Sequence, residues 1–168
     1  MSKGPPIIII GIDPGTVESA YVQLRNGKIH DHAKVENRHL LDVISSLDLP
    51  YHWGDGGRMI AIEFLQSFGM PVGKEVFETA YLIGRIQQCA IDRKVEVLPV
   101  YRKQVVLHHC GSPRAKDANI RQAMLDRWGP QGTKKTPGPT YGIKADVWSA
   151  LAIASYALDQ QVVEAGDE

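Results

Sequence analysis

The stretch Ile7–Thr16, IIIIGIDPGT, constrains the fold more than any other part of the chain. Ile7 through Ile12 is apolar with no alternation, which suits a strand buried on both faces at the middle of a sheet. Asp13 ends that strand. A carboxylate is costly to desolvate unless it meets a cation or several donors, so an acid at the tip of a central strand needs either a metal or a turn to bond to. Pro14-Gly15 supplies the turn. On these residues alone, Asp13 either accepts from the backbone of its own turn or serves a site.

The next segments read as a meander. Ser19–Leu24 partly alternates, Asn26-Gly27 is a two-residue hairpin signal, and Lys28–Val35 returns as a more polar strand. Asn37 is the expected N-cap of a helix carrying Leu40, Leu41, Ile44 and Leu47, which Pro50 ends; Tyr51–Arg58 is a loop of turn residues. Met59–Ile62 is a second apolar strand, and it too ends in an acid, Glu63. Where parallel strands lie side by side, ligands bind beyond their carboxyl ends, so Asp13 and Glu63 converge if these two strands are neighbours.

Phe64–Val72 is an apolar loop, followed by a helix over Lys74–Lys94 with Val76, Ala80, Ile83, Gln87 and Ala90 on its inner stripe. Phe77, Tyr81 and Ile91 exceed what one buried stripe requires. Val95–Val100 is a strand, Arg102–His109 a short basic helix and Lys116–Trp128 another helix. Gly129–Gly142, with four glycines and three prolines, is expected to be a flexible loop. A last helix over Ile143–Gln160 presents Ile143, Val147, Ala150, Leu151, Ala154 and Leu158, and places a third acid, Asp146, near its start. Residues 161–168 form an acidic, mobile tail.

With 168 residues, 43% of them hydrophobic, one domain over 1–168 is expected. Net charge is zero but unevenly spread. Arg102–Lys144 holds nine basic residues against two acids, whereas Asp146 to the end holds five acids and no Lys or Arg. That basic segment, with Arg102, Arg114, Lys134, Lys135 and Lys144, is the expected nucleic-acid surface; an ordinary solvated helical face is the other reading. Cys89 and Cys110 lack a ligand spacing, and the six histidines form no zinc pattern and are expected on exposed or DNA-facing surface. No secretory or membrane-spanning pattern is present, so a soluble, cytoplasmic protein is expected.

Four motifs, GIDPGT at Gly11–Thr16, IAIEFLQSFG at Ile60–Gly69, RKQVVLHHCGSPRAKDANI at Arg102–Ile120 and DVWSALAIA at Asp146–Ala154, together resemble the RuvC-type Holliday junction resolvases, including phage-type members. The resemblance implies an α/β, RNase H-like fold: a mixed five-stranded sheet, three antiparallel strands then two parallel, with helices on both faces. It also implies a structure-specific, Mg²⁺-dependent endodeoxyribonuclease acting on four-way or other branched DNA as a homodimer. Asp13, Glu63 and Asp146 are then metal ligands, and Lys103 and Lys116 lie near the scissile phosphate. Two Mg²⁺ ions, replaceable by Mn²⁺, fit that chemistry, because paired hard cations activate water and stabilise the leaving oxygen.

One position departs from the family pattern. The last helix usually carries two acid or histidine ligands three residues apart, and Ser149 stands in the later place. Asp146 with the first two acids then suffices with Ser149 holding a metal-bound water, or Asp146 takes the later role through a shifted register, or cleavage is lost. Phe64 and Phe68 are either a wedge among unstacked bases or core residues. The competing functions are an RNase H-like nuclease on structured RNA or flaps, and a non-catalytic junction-binding protein. A sugar-kinase-like phosphotransferase shares D-x-G-T, but 168 residues do not hold the second domain it needs.

Overall fold

The computed structural model describes residues 7–46 and 57–166. These form strands β1 (Ile8–Asp13), β2 (Glu18–Arg25) and β3 (Lys28–Glu36), then helix α1 (Asn37–Ser46), strand β4 (Arg58–Glu63), helix α2 (Lys74–Asp92) and strand β5 (Glu96–Val100). Helices α3 (Arg102–Cys110), α4 (Asp117–Trp128) and α5 (Val147–Gly166) complete the chain. The sheet order is β3-β2-β1-β4-β5, antiparallel from β3 to β1 and parallel from β1 to β5. The hairpin between β2 and β3 turns on Asn26 and Gly27, both at positive φ (50° and 69°), as a two-residue turn matched to strand twist requires.

Strand alternation divides the core into two layers. Ile8, Ile10 and Ile12 of β1, with Ile60 and Ile62 of β4, pack under Leu40 and Ile44 of α1 and Leu82, Ile83 and Ile86 of α2. Ile9 of β1, Ala20 and Val22 of β2 and Ala61 of β4 face the other way, under α3, α4 and α5. A period of two therefore puts Gly11, Asp13, Ala61 and Glu63 on the α5 side. The uninterrupted apolar run of β1 follows directly, because both of its faces are covered.

Several local expectations change in the tertiary structure. The buried stripe of α2 is Thr79, Leu82, Ile83, Ile86 and Ala90, while Ala80 is exposed; Leu82 and Ile86 point to the sheet instead of Ala80 and Gln87. Helix α5 begins at Val147, not Ile143, and continues through Gly166, so most of the expected tail is helical. Ile143 is nonetheless buried, carried in by the turns that precede the helix. Gly129–Gly142 is a built segment: Gly132 and Pro137 bridge, the Gly138 N–H donates to the Gln131 carbonyl, and the Thr140 hydroxyl donates to the Gly129 carbonyl. Thr140 is fully buried there. The expected loop at 51–56 and the Leu47 end of α1 lie outside the described residues. Among the described residues no helix is long and apolar enough to cross a membrane.

Candidate active site

Glycine at position 11 is what lets the third acid reach the first two. Helix α5 crosses β1 so closely that a Cβ on Gly11 would stand 2.3 Å from the Ala150 carbonyl oxygen and 2.5 Å from the Ala154 nitrogen. Asp146 lies one turn before Ala150, and its carbonyl accepts the Ala150 N–H at 3.1 Å. Seating the helix on Gly11 thus brings Asp146 to the end of β1, where Asp13 emerges on the same side two residues further along. Glu63 arrives from the neighbouring parallel strand, in which Ile62 is paired with Ile12.

The electrostatics record this convergence. Burial, then the charges of Glu63 and Asp146, push the Asp13 carboxyl from its ordinary 3.8 up to about 7, with Arg102 and Lys34 pulling the other way. Glu63 is raised as well, chiefly by burial; Arg102 opposes the rise and Asp117 adds to it. The turn after Asp13 does not take up its charge, since the Gly15 N–H donates to Ser19 Oγ at 3.1 Å. Of the two readings of Asp13 in the sequence, the arrangement favours a site.

Asn37 braces that turn. It is the first residue of α1, and its amide donates to the carbonyls of Gly15 and Thr16, both at 3.0 Å, while its Oδ1 accepts from Ser19 at 2.7 Å. Its side chain therefore serves the Asp13 loop, where the sequence suggested a helix cap. Lys34 carries no signal in the sequence. It lies in the cross-strand row Asp13, Ala20, Lys34, and its Nζ meets Asp146 Oδ2 at 2.5 Å.

The other expected residues are distributed as follows. Ser149 lines two adjoining spaces: an open cavity of about 460 Å³ shared with Asp117, Arg121, Lys144 and Asp146, and a small pocket shared with Glu63 and Arg102. Arg102 pairs with Asp117, so α3 and α4 each contribute a charged group at the rim. Lys103 and Lys116 are exposed and line neither space; their chain neighbours Arg102 and Asp117 do. Arg114, Lys134 and Lys135 are exposed, the lysines at the tip of the turn closed by Thr133 and Thr136. Phe64 is half-buried and meets Tyr101 edge-on at 6.4 Å, whereas Phe68 is 75% exposed.

Of the histidines expected on the surface, His108 is exposed and His109 half-buried, and both bond to α5. His108 pairs with Asp159 at 2.7 Å, which Arg127 also grips with two hydrogen bonds, and His109 Nε2 bonds the Ala152 carbonyl at 2.9 Å. They tie α3 to α5, and Arg127 ties α4 to it.

Three carboxylates and a hydroxyl form an all-oxygen set of the kind hard divalent cations take. Among the described residues no three His, Cys, Asp or Glu side chains already stand close enough to hold one ion. Lys34 pairs with Asp146 and Arg102 with Asp117. The donor chemistry fits a metal, and mutual repulsion at Asp13 is what a bound cation would relieve.

A mixed sheet with acids at the ends of its two central strands and a third acid at the head of the covering helix defines an α/β fold of the RNase H-like class. More particularly, the fold is that of RuvC. The chain superposes on Thermus thermophilus RuvC in complex with Holliday junction substrate with a TM-score of 0.68 at 15% identity, covering 92% of this chain and 94% of that one. A second Thermus thermophilus RuvC structure matches with a TM-score of 0.63 at 14% identity, over 92% and 97% of the two chains. No family model matches the sequence, and no curated protein matches it.

Proposed function

We propose that this chain is a metal-dependent endonuclease that cuts branched DNA, four-way junctions foremost, in the cytoplasm. The observation that supports the reading is that Asp13 and Glu63 end neighbouring parallel strands of a RuvC-like sheet, with Asp146 within electrostatic reach of Asp13. These side chains would hold Mg²⁺, with Mn²⁺ able to replace it, and the bound cation would supply water activation and charge neutralisation at the phosphodiester. Arg102 borders the acids from α3 and offsets phosphate charge beside them. Asn37 keeps the Asp13 loop from moving as the site fills.

Around the acids, the segment from Arg102 to Lys144 offers phosphate contacts through Arg114, Lys134, Lys135 and Lys144. Lys103 and Lys116 belong to that surface and reach the scissile region if their exposed side chains swing inward. Phe68 and Met70, 75% and 71% exposed, are the apolar wedge toward the junction centre, while Phe64 anchors the base of their loop on Tyr101. Two strands of a junction must be cut, so the working unit is a homodimer. Its interface is α2, where Phe77, Tyr81 and Ile91 are 65%, 72% and 64% exposed and share one face with Gly84.

The test is cleavage of a panel of four-way junctions, flaps, forks, duplex DNA and structured RNA with Mg²⁺, Mn²⁺ and chelator. Metal-dependent, paired incision of the four-way junction is expected from the wild type. Asp13→Asn should lose it while binding the junction at least as tightly, because one negative charge facing phosphate is gone. Junction binding without incision in any metal would instead favour a non-catalytic binding protein.

A further inference from the structure

The open cavity that Asp146 and Ser149 line has walls from three parts of the chain. Ala118 and Arg121 come from α4, Gln131 from the segment that follows it, and Lys144 and Trp148 from the turn into α5 and its first residues. The Gln131 wall is fixed in place: its side-chain amide donates to the Ile143 carbonyl at 2.5 Å, and its own carbonyl accepts the Gly138 N–H at 2.8 Å.

The lining is chemically mixed. Ile120 and Ile143, both buried, give it an apolar floor. The Arg121 guanidinium lies over the indole of Trp148, its carbon 5.6 Å from the ring centroid, with Trp148 itself only 6% exposed. A planar cation backed in this way offers its outer face to a nucleic-acid base. The acids of the lining are engaged, Asp117 by Arg102 and Asp146 by Lys34, whereas Arg121 and Lys144 have no ion-pair partner among the described residues. Such cations draw phosphate. A phosphate by itself would leave most of the 460 Å³ and the apolar floor unfilled; a base together with its phosphate uses floor, stacking plane and cations at once.

We infer that this cavity is a one-nucleotide subsite, which takes a single unstacked nucleotide of the cleaved strand with its base on Arg121 and its phosphate at Lys144. The inference rests on the branched-DNA reading above and adds a base that the protein holds out of the stack. Ser149 makes the subsite continuous with the acids, because it also lines the small pocket shared with Glu63 and Arg102. Bases at a crossover suit it, since an unpaired or weakly stacked base costs least to extrude.

The experiment is equilibrium binding of a four-way junction in chelator, with each nucleotide within about three of the crossover replaced in turn by an abasic spacer. Wild type should lose about tenfold in affinity at one position, as expected for one stacked base. Ala118→Trp fills the cavity from an exposed helix position and should bind the intact junction about tenfold more weakly, with no further loss at any spacer. Arg121→Lys keeps the charge without the plane and should lose only about threefold or less at the same position. If Ala118→Trp does not fold, the Arg121→Lys comparison decides alone. Spacer losses equal in wild type and variants, or absent from wild type at every position, would overturn the subsite and leave the branched-DNA reading standing. A wild type that binds the intact junction no more tightly than duplex would overturn that reading, and this inference with it.

Discussion

Gly11 and Ala150 are in backbone contact: any side chain on Gly11 would collide with the carbonyl oxygen of Ala150, at 2.3 Å from its Cβ. The atoms it would meet are mostly backbone of a helix packed on β1, β2 and β4, and these cannot rotate away as a flexible side chain could. The same contact sets the height of Asp146 above Asp13. Stability and site geometry therefore depend on one missing methyl group.

Gly11→Ala should accordingly destabilise the protein by about 1–3 kcal/mol, as overpacking of a tight core does. Cleavage should fall further than the folded fraction explains, because α5 must lift and take Asp146 with it. Thermal melts and cleavage rates, compared at a temperature where the variant remains folded, check this. Wild-type activity in a folded Gly11→Ala protein would contradict it.

Asn37→Ala removes the amide that holds the carbonyls of Gly15 and Thr16 and the acceptor of the Ser19 hydroxyl. A stability loss of about 1–2 kcal/mol is expected for these partly buried bonds. Maximal cleavage rate should drop about tenfold or more with junction affinity little changed, since Asn37 acts by positioning the Asp13 loop. Asn37→Asp should fail to rescue, because a carboxylate cannot donate to two carbonyls.

His109 yields a pH dependence away from the acids. Burial holds its imidazole below the ordinary 6.5; the hydrogen bond to the Ala152 carbonyl opposes that, and His108 and Arg127 reinforce it. With the folded-state value below the unfolded one, the neutral ring is favoured in the native protein. Its contribution is fully present above pH 6.5 and is lost as pH falls below 6.5 through the folded value. Denaturant midpoints measured between pH 7.5 and 5 should decline for the wild type, and His109→Gln should flatten that slope.

Lys134→Ala with Lys135→Ala tests the basic surface. Junction affinity should fall with rising salt through counterion release, and the double variant should flatten the logarithmic slope by about one unit for each phosphate that is no longer neutralised. The variant should fold as the wild type does, both lysines being exposed at a turn tip. A salt-insensitive affinity would contradict the assignment.

What the sequence by itself determined was set by short-range rules. An unbroken apolar run means a strand covered on both faces, Asn26-Gly27 means a hairpin, and an acid directly after each apolar strand must lie at its carboxyl end. Those rules sufficed for the meander, the two parallel strands and the placing of Asp13 and Glu63 at strand ends. Tertiary structure alone decided which side chains meet across the sheet. Lys34 reaches Asp146 because β3 pairs with β2 in one register out of several, and that register is invisible at a separation of more than a hundred residues. Helix rotation escaped for a related reason: each residue turns a helix by about 100°, so reading Ala80 for Thr79 moved the inner face of α2 away from its true contact. The glycines and prolines of Gly129–Gly142 predicted freedom because composition reports only local preference. Partners eleven and twelve residues apart, the Gly129 carbonyl for Thr140 and the Ile143 carbonyl for Gln131, supply hydrogen bonds that give that segment its shape.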